Sequence, residues 1–281
     1  MDSVDDDYAD TSLRIKPGGE KMLKYLKAKA STMGEMVRRK KLSIFTDRVF
    51  WGKVIHQVNK NVVYRFAWPF FVKDVRAAKA KGLEGAADFS FRGCLGLISP
   101  LQFRTEIMRL VTIVREVKPK TVVEIGTCNG GTLFLLSYAA RPDARIISID
   151  LPYGKFGGGY PKWAGRLYEN FATGKQSVHL ISGDSHKEET VEKLKEIIGN
   201  GKIDVLFIDG DHTYEGVKRD FSLYGGLVRK GGIIALHDVA VHTDEKCKVS
   251  MFWDELKRER KTMELIEDPK QGWGGIGVVF V

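Results

Sequence analysis

The chain has 281 residues, of which 43% are hydrophobic and 29% are charged, and its formal net charge is +9. These values are ordinary for a globular protein with a core, and they exclude a collagen-like or wholly disordered chain. The three cysteines are far apart and form no C-x-x-C pair, so neither a disulfide framework nor a zinc cluster is indicated. An acidic N-terminus and the lack of a long apolar run predict a soluble, cytoplasmic protein.

The positive charge lies in the first third of the chain. Residues 1–100 carry a net charge of +8, whereas residues 101–281 carry a net charge of +1. Residues 1–19 are acidic and end in a Lys-Pro-Gly-Gly break, which predicts a disordered tail. We expect residues 20–99 to form a basic, aromatic and mainly helical extension, and residues 100–281 to form a catalytic domain.

The extension would suit several kinds of partner. Its basic run at residues 38–41 would suit an anionic lipid surface or a nucleic acid, but a solvated helix end is the favoured interpretation, because no aromatic residues are interleaved with the run. The aromatic density of residues 43–80 predicts burial against the catalytic domain or a second subunit. A homo-oligomer formed through the extension is therefore expected, with peripheral contact to a membrane as the alternative. Residues 81–98 are rich in glycine and are predicted to be a linker or a lid.

Helical and strand-like patterns alternate from about residue 99 onward. A strand, a helix and a second strand follow one another within ~30 residues, which is the length of a parallel βαβ unit. The predicted fold class is therefore α/β, with a Rossmann-like, doubly wound and mostly parallel sheet. The predicted strands cover residues 121–125, 145–149, 178–181, 204–208, 233–236 and 278–281, and the predicted helices cover residues 101–114, 132–140, 163–173, 188–199, 217–223 and 250–260.

The first strand runs into a glycine-rich turn that precedes a helix. This turn covers residues 126–131, and Glu124 stands two residues before its first glycine. Glycines allow a sharp turn and the close approach of a ligand, and the N-terminus of the next helix offers N–H groups. The spacing is not G-x-G-x-x-G, which disfavours a dinucleotide oxidoreductase. Asp150 ends the second strand, and a Gly-Asp-Ser turn at residues 183–185 follows the third.

Acidic and imidazole side chains concentrate at the ends of the fourth and fifth strands. Asp209 and His212 follow the fourth strand, and His237 and Asp238 end the fifth. Neighbouring parallel strands lie ~4.8 Å apart, so Asp209, His237 and Asp238 can converge on one ion. Two carboxylates and an imidazole suit Mg²⁺, Mn²⁺ or Zn²⁺, although a metal-free turn or cap would also explain the pattern. His212, with an ordinary pKa near ~6.5, is the candidate general base; a structural bond to a carboxylate or the backbone is the alternative.

The ordered motifs resemble those of class I S-adenosylmethionine (SAM) methyltransferases. They are EIGTCNGG, the second-strand acid, GDS, FIDGDHTYEGV and GGIIALHD, and the resemblance covers about residues 100–281. Within that class they look most like the branch of small-molecule and sugar O-methyltransferases and cephalosporin hydroxylase-like proteins. The resemblance implies an antiparallel last strand and a SAM site formed by Glu124, Gly126, Thr127, Asn129, Gly130, Asp150, Gly183, Asp184, Ser185 and Asp209.

The same resemblance implies a metal-assisted reaction. Asp209, His237 and Asp238 would hold a divalent cation, with Mg²⁺ the first choice, and His212 and Asp209 would be catalytic. His237-Asp238 departs from the Asp-Asp or Asp-Asn pair that relatives often carry at this place. The implied acceptor is a hydroxyl group of a sugar or another small molecule.

Two other functions remain open at this point. A nucleic-acid methyltransferase would use the basic N-terminal region as its binding arm, and its affinity would fall steeply with salt. The chain, however, has no N/D-P-P-Y/F motif and no RNA-binding signature. A SAM-binding protein without transferase activity is the second alternative, and it would bind SAM without any effect of metal.

Overall fold

The computed structural model describes residues 69–281, except residues 153, 155–158 and 161. The predicted tail at residues 1–19, the basic run and most of the aromatic stretch lie outside these residues. All described residues belong to one compact unit, which spans His56–Val281. No helix in the described part of the chain is long and apolar enough to cross a membrane.

Eight α-helices and seven β-strands make up the described part of the chain. The helices are α1 (residues 69–80), α2 (Gly82–Arg92), α3 (Arg104–Val117), α4 (Gly131–Ala139), α5 (Lys162–Glu169), α6 (Glu188–Ile198), α7 (Tyr214–Gly225) and α8 (Val249–Glu259). The strands are β1 (Thr121–Ile125), β2 (Arg145–Asp150), β3 (Ser177–Ser182), β4 (Ile203–Ile208), β5 (Val228–His237), β6 (Thr262–Leu265) and β7 (Ile276–Phe280). A short 3-10 helix, Cys94–Gly96, follows α2.

The seven strands form one sheet in the order β3-β2-β1-β4-β5-β7-β6. Strands β1 to β5 are parallel to their neighbours, whereas β7 pairs antiparallel with both β5 and β6. The central strands β1 and β4 are buried along their whole length, which explains why both read as continuous apolar runs. The predicted doubly wound, mostly parallel sheet with an antiparallel last strand is confirmed.

Each face of the sheet is covered by its own hydrophobic core. Val122 belongs to the core that contains Phe134 and Phe207, whereas Val123 belongs to the core that contains Trp253. This alternation follows from the two-residue period of a strand, which points successive side chains to opposite faces. Helices therefore pack on both faces of the sheet, and the loops that follow the strands lie at its carboxyl edge.

The segment predicted as a linker or lid is instead a packed helix. In α2, Ala86, Ala87 and Phe89 are buried, and the Phe89 ring lies 4.9 Å from the ring of Phe134 on α4. Ser90 Oγ also donates to the carbonyl oxygen of Gly131 at 3.2 Å. The prediction was wrong here because most of the glycines in this segment stand at the ends of the short helices rather than in a loop.

The leading helix begins later than its apolar pattern predicted. Helix α3 starts at Arg104, with Phe103 in an extended conformation at its N-cap, whereas the prediction placed the start at Leu101. Residues 99–103 therefore form a non-helical strap before the helix. This strap, absent from the prediction, runs past the carboxyl edge of the sheet.

Candidate active site

A cleft of about 670 Å³ opens at the carboxyl edge of the sheet. Its walls come from the turns after β1, β2, β3, β4 and β5 and from the strap at residues 99–102. Strands β1 and β4 meet in its centre, and here the strand order reverses, which is the usual ligand position in an open α/β sheet. The lining contains every predicted site residue except Glu124: Gly126, Thr127, Asn129, Gly130, Asp150, Gly183, Asp184, Ser185, Asp209, His212, His237 and Asp238.

The glycine turn can be formed only with glycine at two of its positions. Gly126 has a φ of +88°, and a Cβ there would overlap the carbonyl oxygen of Asp209. Gly130 has a φ of +86°, and a Cβ there would overlap the ring of Tyr168. The Tyr168 hydroxyl donates to the carbonyl oxygen of Asn129 at 2.6 Å. The turn thus packs against the end of β4 on one side and against α5 on the other.

Asp150 lies at the end of β2 with its carboxylate beside the turn. Its Oδ2 accepts the N–H of Cys128 at 2.8 Å, and its Oδ1 accepts the N–H of Gly159 at 2.9 Å. Burial raises the pKa of Asp150 to about 6, against the effect of these bonds. Backbone N–H groups thus hold the carboxylate of Asp150 beside the turn, at the wall of the cleft.

Glu124 supports the turn from below and does not line the cleft. The side chain is fully buried, and its Oε2 accepts the hydroxyl of Thr127 at 2.8 Å. The other oxygen, Oε1, has no hydrogen-bond partner among the described residues. Burial raises the pKa of Glu124 well above its ordinary value, which favours the neutral form of the group.

The Gly-Asp-Ser turn forms a second wall of the cleft. Gly183 N donates to the carbonyl oxygen of Asp150 at 3.0 Å, and this bond ties the turn to β2. Asp184 Oδ1 accepts the N–H of His186 at 2.9 Å, while the Ser185 carbonyl accepts the Tyr224 hydroxyl at 2.7 Å. These bonds fix the turn at the edge of the cleft, next to the end of β2.

The ends of β4 and β5 bring the predicted acids and imidazoles together. His237 Nδ1 lies 3.1 Å from Asp209 Oδ1 and 3.4 Å from Asp238 Oδ1. His212 Nδ1 lies 2.5 Å from Asp238 Oδ2. The cluster forms because β4 and β5 are parallel neighbours in register, as the sequence predicted.

The carboxylates strongly favour protonated imidazoles in this cluster. Burial lowers the pKa of His212, but bonds with Asp238 and Cys247 and the charge of Asp209 outweigh it and raise the pKa to about 11. Burial likewise opposes the charged form of His237, but the Asp209 carboxylate raises its pKa. His212 is therefore a cation at neutral pH when no other charge is present, which differs from the ordinary pKa expected from sequence.

The donor set fits a divalent cation. Asp209, His237 and Asp238 each offer one ligand atom, and these atoms lie within 4.8 Å of one another. Two carboxylates and one imidazole match the ligand types of Mg²⁺, Mn²⁺ and Zn²⁺. A positive ion at this place would also lie close to both carboxylates and offset their charge.

Several residues of the cleft were missed by sequence reasoning. Gln102 in the strap donates from Nε2 to Asp209 Oδ2 at 2.6 Å, and its Oε1 accepts the hydroxyl of Thr132 at 2.8 Å. Trp273 also lines the cleft, 4.3 Å from the Phe103 ring. Gln102 and Asp209 are 107 positions apart, so no local pattern joins them. In the sequence, Trp273 is marked only by its position among glycines, which predicts a turn.

Comparisons with known proteins agree with this geometry. The model of a family described as a methyltransferase domain matches residues 123–239. An uncharacterized protein of Acanthamoeba polyphaga mimivirus is 36% identical over 124 residues, covering 42% of this chain and 51% of that protein. Catechol O-methyltransferase B of Danio rerio is 28% identical over 134 residues, covering 46% of each chain. The chain spans about half the length of these two curated relatives.

A solved structure shares the fold. The O-methyltransferase of Bacillus cereus, solved with S-adenosylhomocysteine (SAH), is 18% identical, with a TM-score of 0.50 over 71% of this chain and 90% of that one. The matched family residues run from β1 to the end of β5 and contain the glycine turn and the acid–imidazole cluster. The part of the chain from β1 to the end of β5 is therefore similar to a methyltransferase domain.

Proposed function

We propose that the protein is a SAM-dependent O-methyltransferase that transfers a methyl group to a hydroxyl of a sugar or another small molecule, assisted by a divalent cation. The observation that carries this proposal is the direct contact between the glycine turn and the end of β4. Because Gly126 packs on the backbone of Asp209, a ligand on the turn and a group held by Asp209 share one cleft.

The residues around the turn would hold SAM. Asp150 would accept the ribose hydroxyls, and the N-terminal N–H groups of α4 would face the ligand. The Gly-Asp-Ser turn would lie beside the adenine. The Bacillus cereus neighbour, solved with SAH, supports a ligand of this kind.

Asp209, His237 and Asp238 would hold the cation, with Mg²⁺ the first choice. When bound, it supplies a Lewis acid that lowers the pKa of the acceptor hydroxyl. The charge of the cation would lower the pKa of His212, and the neutral imidazole, oriented through Nδ1 by Asp238, would then take the hydroxyl proton. Methyl transfer is an in-line displacement, so the shared cleft contributes mainly by positioning the two reactants.

The acceptor would enter beside the strap and the turn at residue 273. Leu101 and Trp273 both line the cleft, with 59% and 39% of their surfaces exposed. An apolar or aromatic face would stack there while a hydroxyl reached the acids. The relative named catechol O-methyltransferase supports a small acceptor that carries hydroxyl groups. The roles expected for residues 20–68, in pairing subunits or meeting a membrane, stay predictions.

The first test is calorimetric titration of SAH into the purified full chain, once with Mg²⁺ and once with EDTA. We expect micromolar binding in both buffers, because the proposed SAM site does not include the cation. A complete lack of binding in both would refute the methyltransferase proposal. Turnover on sugar and phenolic hydroxyls, measured with and without EDTA, then tests the role of the metal.

The variant Asp209→Asn tests the acid cluster. It keeps the size of the side chain but removes the charge, so we expect turnover to fall on the order of 100-fold or more while the fold is kept. Asp254→Asn, at an exposed position on α8, is the matched control. Equal turnover in the wild type and Asp209→Asn would remove the metal from the mechanism.

A further inference from the structure

A second set of metal-binding side chains lies beside the first. An imidazole nitrogen of His212, a carboxylate oxygen of Asp238 and the thiol of Cys247 lie within 4.8 Å of one another. Asp238 belongs to both sets, whereas Cys247 belongs only to the second. The second set therefore contains a sulfur ligand, which the proposed Mg²⁺ site lacks.

The fold holds these three side chains in place. Lys248 N, next to Cys247, donates to the carbonyl oxygen of His212 at 2.8 Å, which ties together the two loops that carry the ligands. Gly274 N donates to Asp238 Oδ1 at 3.0 Å and orients that carboxylate. Cys247 itself is buried, with 7% of its surface exposed. The thiol is thus kept against the imidazole and the carboxylate by the backbone.

We propose that His212, Asp238 and Cys247 form a binding site for Zn²⁺, and that Zn²⁺ bound there inhibits the enzyme. Zinc is commonly bound by cysteine, histidine and aspartate, and three protein ligands leave its fourth position open. Mg²⁺ prefers oxygen ligands and does not select thiolates, so the sulfur discriminates between the two ions.

Zinc at this site would block methyl transfer in two ways. The Cys247 thiol gives up its proton on binding, and any proton on the coordinating nitrogen of His212 also passes to solvent. His212 then donates its lone pair to zinc and cannot accept the proton of the acceptor hydroxyl. Asp238 is at the same time drawn away from the Mg²⁺ ligands. This inhibition rests on the proposed function, whereas the zinc site itself does not.

Cobalt absorption tests the site without any measurement of activity. The full chain, stripped with a chelator, is titrated with Co²⁺, which gives a thiolate-to-cobalt charge-transfer band in the near ultraviolet when sulfur is a ligand. We expect this band in the wild type and its loss when an equimolar amount of Zn²⁺ is added. A wild-type protein that binds Co²⁺ without the band, or does not bind it, would overturn the proposal.

Variants then identify the sulfur and separate the two metal sites. Cys247→Ser should abolish the band, whereas Cys94→Ala, at a buried cysteine outside the cleft lining, should keep it. Asp209→Asn should also keep the band, because Asp209 belongs only to the first set. A band that persists in Cys247→Ser would refute the site. If Cys247→Ser does not fold, His212→Gln is tested instead. Its affinity for Co²⁺ should be about 10–100-fold lower than that of the wild type.

Zinc inhibition is measured last, on transfer supported by Mg²⁺. Half-inhibition of Cys247→Ser should require about 10–100-fold more Zn²⁺ than half-inhibition of the wild type. Equal sensitivity in both proteins would overturn the inhibitory role. A cobalt band in a protein without turnover on any acceptor would instead count against the proposed function and leave the zinc site standing.

Discussion

At the scale of single residues, the site depends on a backbone contact that admits no side chain. Gly126 combines a φ of +88° with the carbonyl oxygen of Asp209 directly against its Cα. Any Cβ must therefore push β4 away from the turn and must also adopt a strained conformation. The glycine is needed for packing between two strand ends as well as for room around the ligand.

The variant Gly126→Ala should be destabilised by about 2 kcal/mol or more, because overlap and strain act together. Gly226→Ala is the matched control, since Gly226 has a φ of −66° and no atom lies within 4 Å of the added Cβ. The control should be neutral or stabilised by about 0.4–1 kcal/mol. Denaturant unfolding measures both, and equal midpoints for the two variants would contradict the packing argument.

At the scale of elements, a half-buried lysine links α1 to the rest of the domain. Lys79 Nζ donates to the carbonyl oxygen of Phe171 at 2.6 Å and to Gln176 Oε1 at 3.3 Å. Burial lowers the pKa of Lys79 to about 7 from an ordinary value of 10.5. With a pKa of about 7 the amine changes its charge near neutral pH, so the attachment of α1 is sensitive to pH.

The sign of this pH effect follows from proton binding. Between pH 7 and 10.5 the unfolded chain holds a proton on Lys79 that the folded chain has released, so this group makes the free energy of unfolding rise with pH. The free energy of unfolding should therefore increase more, or decrease less, with pH in the wild type than in Lys79→Met, because the raised pKa of His212 has the opposite effect in both proteins. Thermal unfolding at pH 7 and 9.5 measures this difference. Lys73→Met, at an exposed position of α1, should retain the wild-type slope, and a parallel slope in Lys79→Met would contradict the assignment.

The turn that carries Trp273 should act on the acceptor alone. Its ring lines the cleft next to Phe103, which precedes helix α3. Loss of a stacking surface costs about 0.5–1.5 kcal/mol, so Trp273→Ala should raise the acceptor KM by about 3- to 10-fold. SAH affinity, measured by calorimetry, should stay at the wild-type value. A matching loss of SAH affinity would show that the ring supports the donor side instead.

The periodicity of apolar residues predicted most of the helices and strands, and the position of the site was inferred from the residues at the strand ends. Apolar runs located β1 and β4, and because both are followed by polar turns, Asp209 and the glycine turn could be assigned to one edge before the fold was known. The glycine content of residues 81–98 led to a wrong prediction for α2, because glycine is common both at helix ends and in loops. Gln102 was out of reach, since its partner lies 107 positions away and depends on the three-dimensional path of the strap.

The ordinary pKa expected for His212 was wrong for a related reason. The position of a histidine in the sequence does not show how many carboxylates surround it in the fold. The fold places Asp209 and Asp238 around the imidazole, and together with the bond to Cys247 they raise its pKa to about 11. Electrostatics of this kind arises from tertiary packing, and local sequence therefore gives only the identity of the group.

At the scale of the whole molecule, ligand binding should stabilise the domain by mass action. SAH at about 100 times its dissociation constant should add about 2.7 kcal/mol to the free energy of unfolding. Because the turn contacts β1, β4 and α5, we expect one cooperative transition that shifts as a unit, with or without EDTA. Differential scanning calorimetry measures the shift. A transition that does not move at saturating SAH would contradict a SAM site formed by the folded domain.

The contact between Gly126 and the Asp209 carbonyl also bears on how the proposed transferase could be redirected to new acceptors. The two sides of the cleft meet at main-chain atoms in the centre of the sheet, where the turn after β1 lies against the end of β4. Exposed side chains such as Val241 and Trp273 can therefore be varied without altering this contact, provided that Gly274 and Lys248, whose N–H groups bond Asp238 and His212, are kept. A library that varies only such exposed side chains should change the range of acceptors and leave SAH affinity as it is.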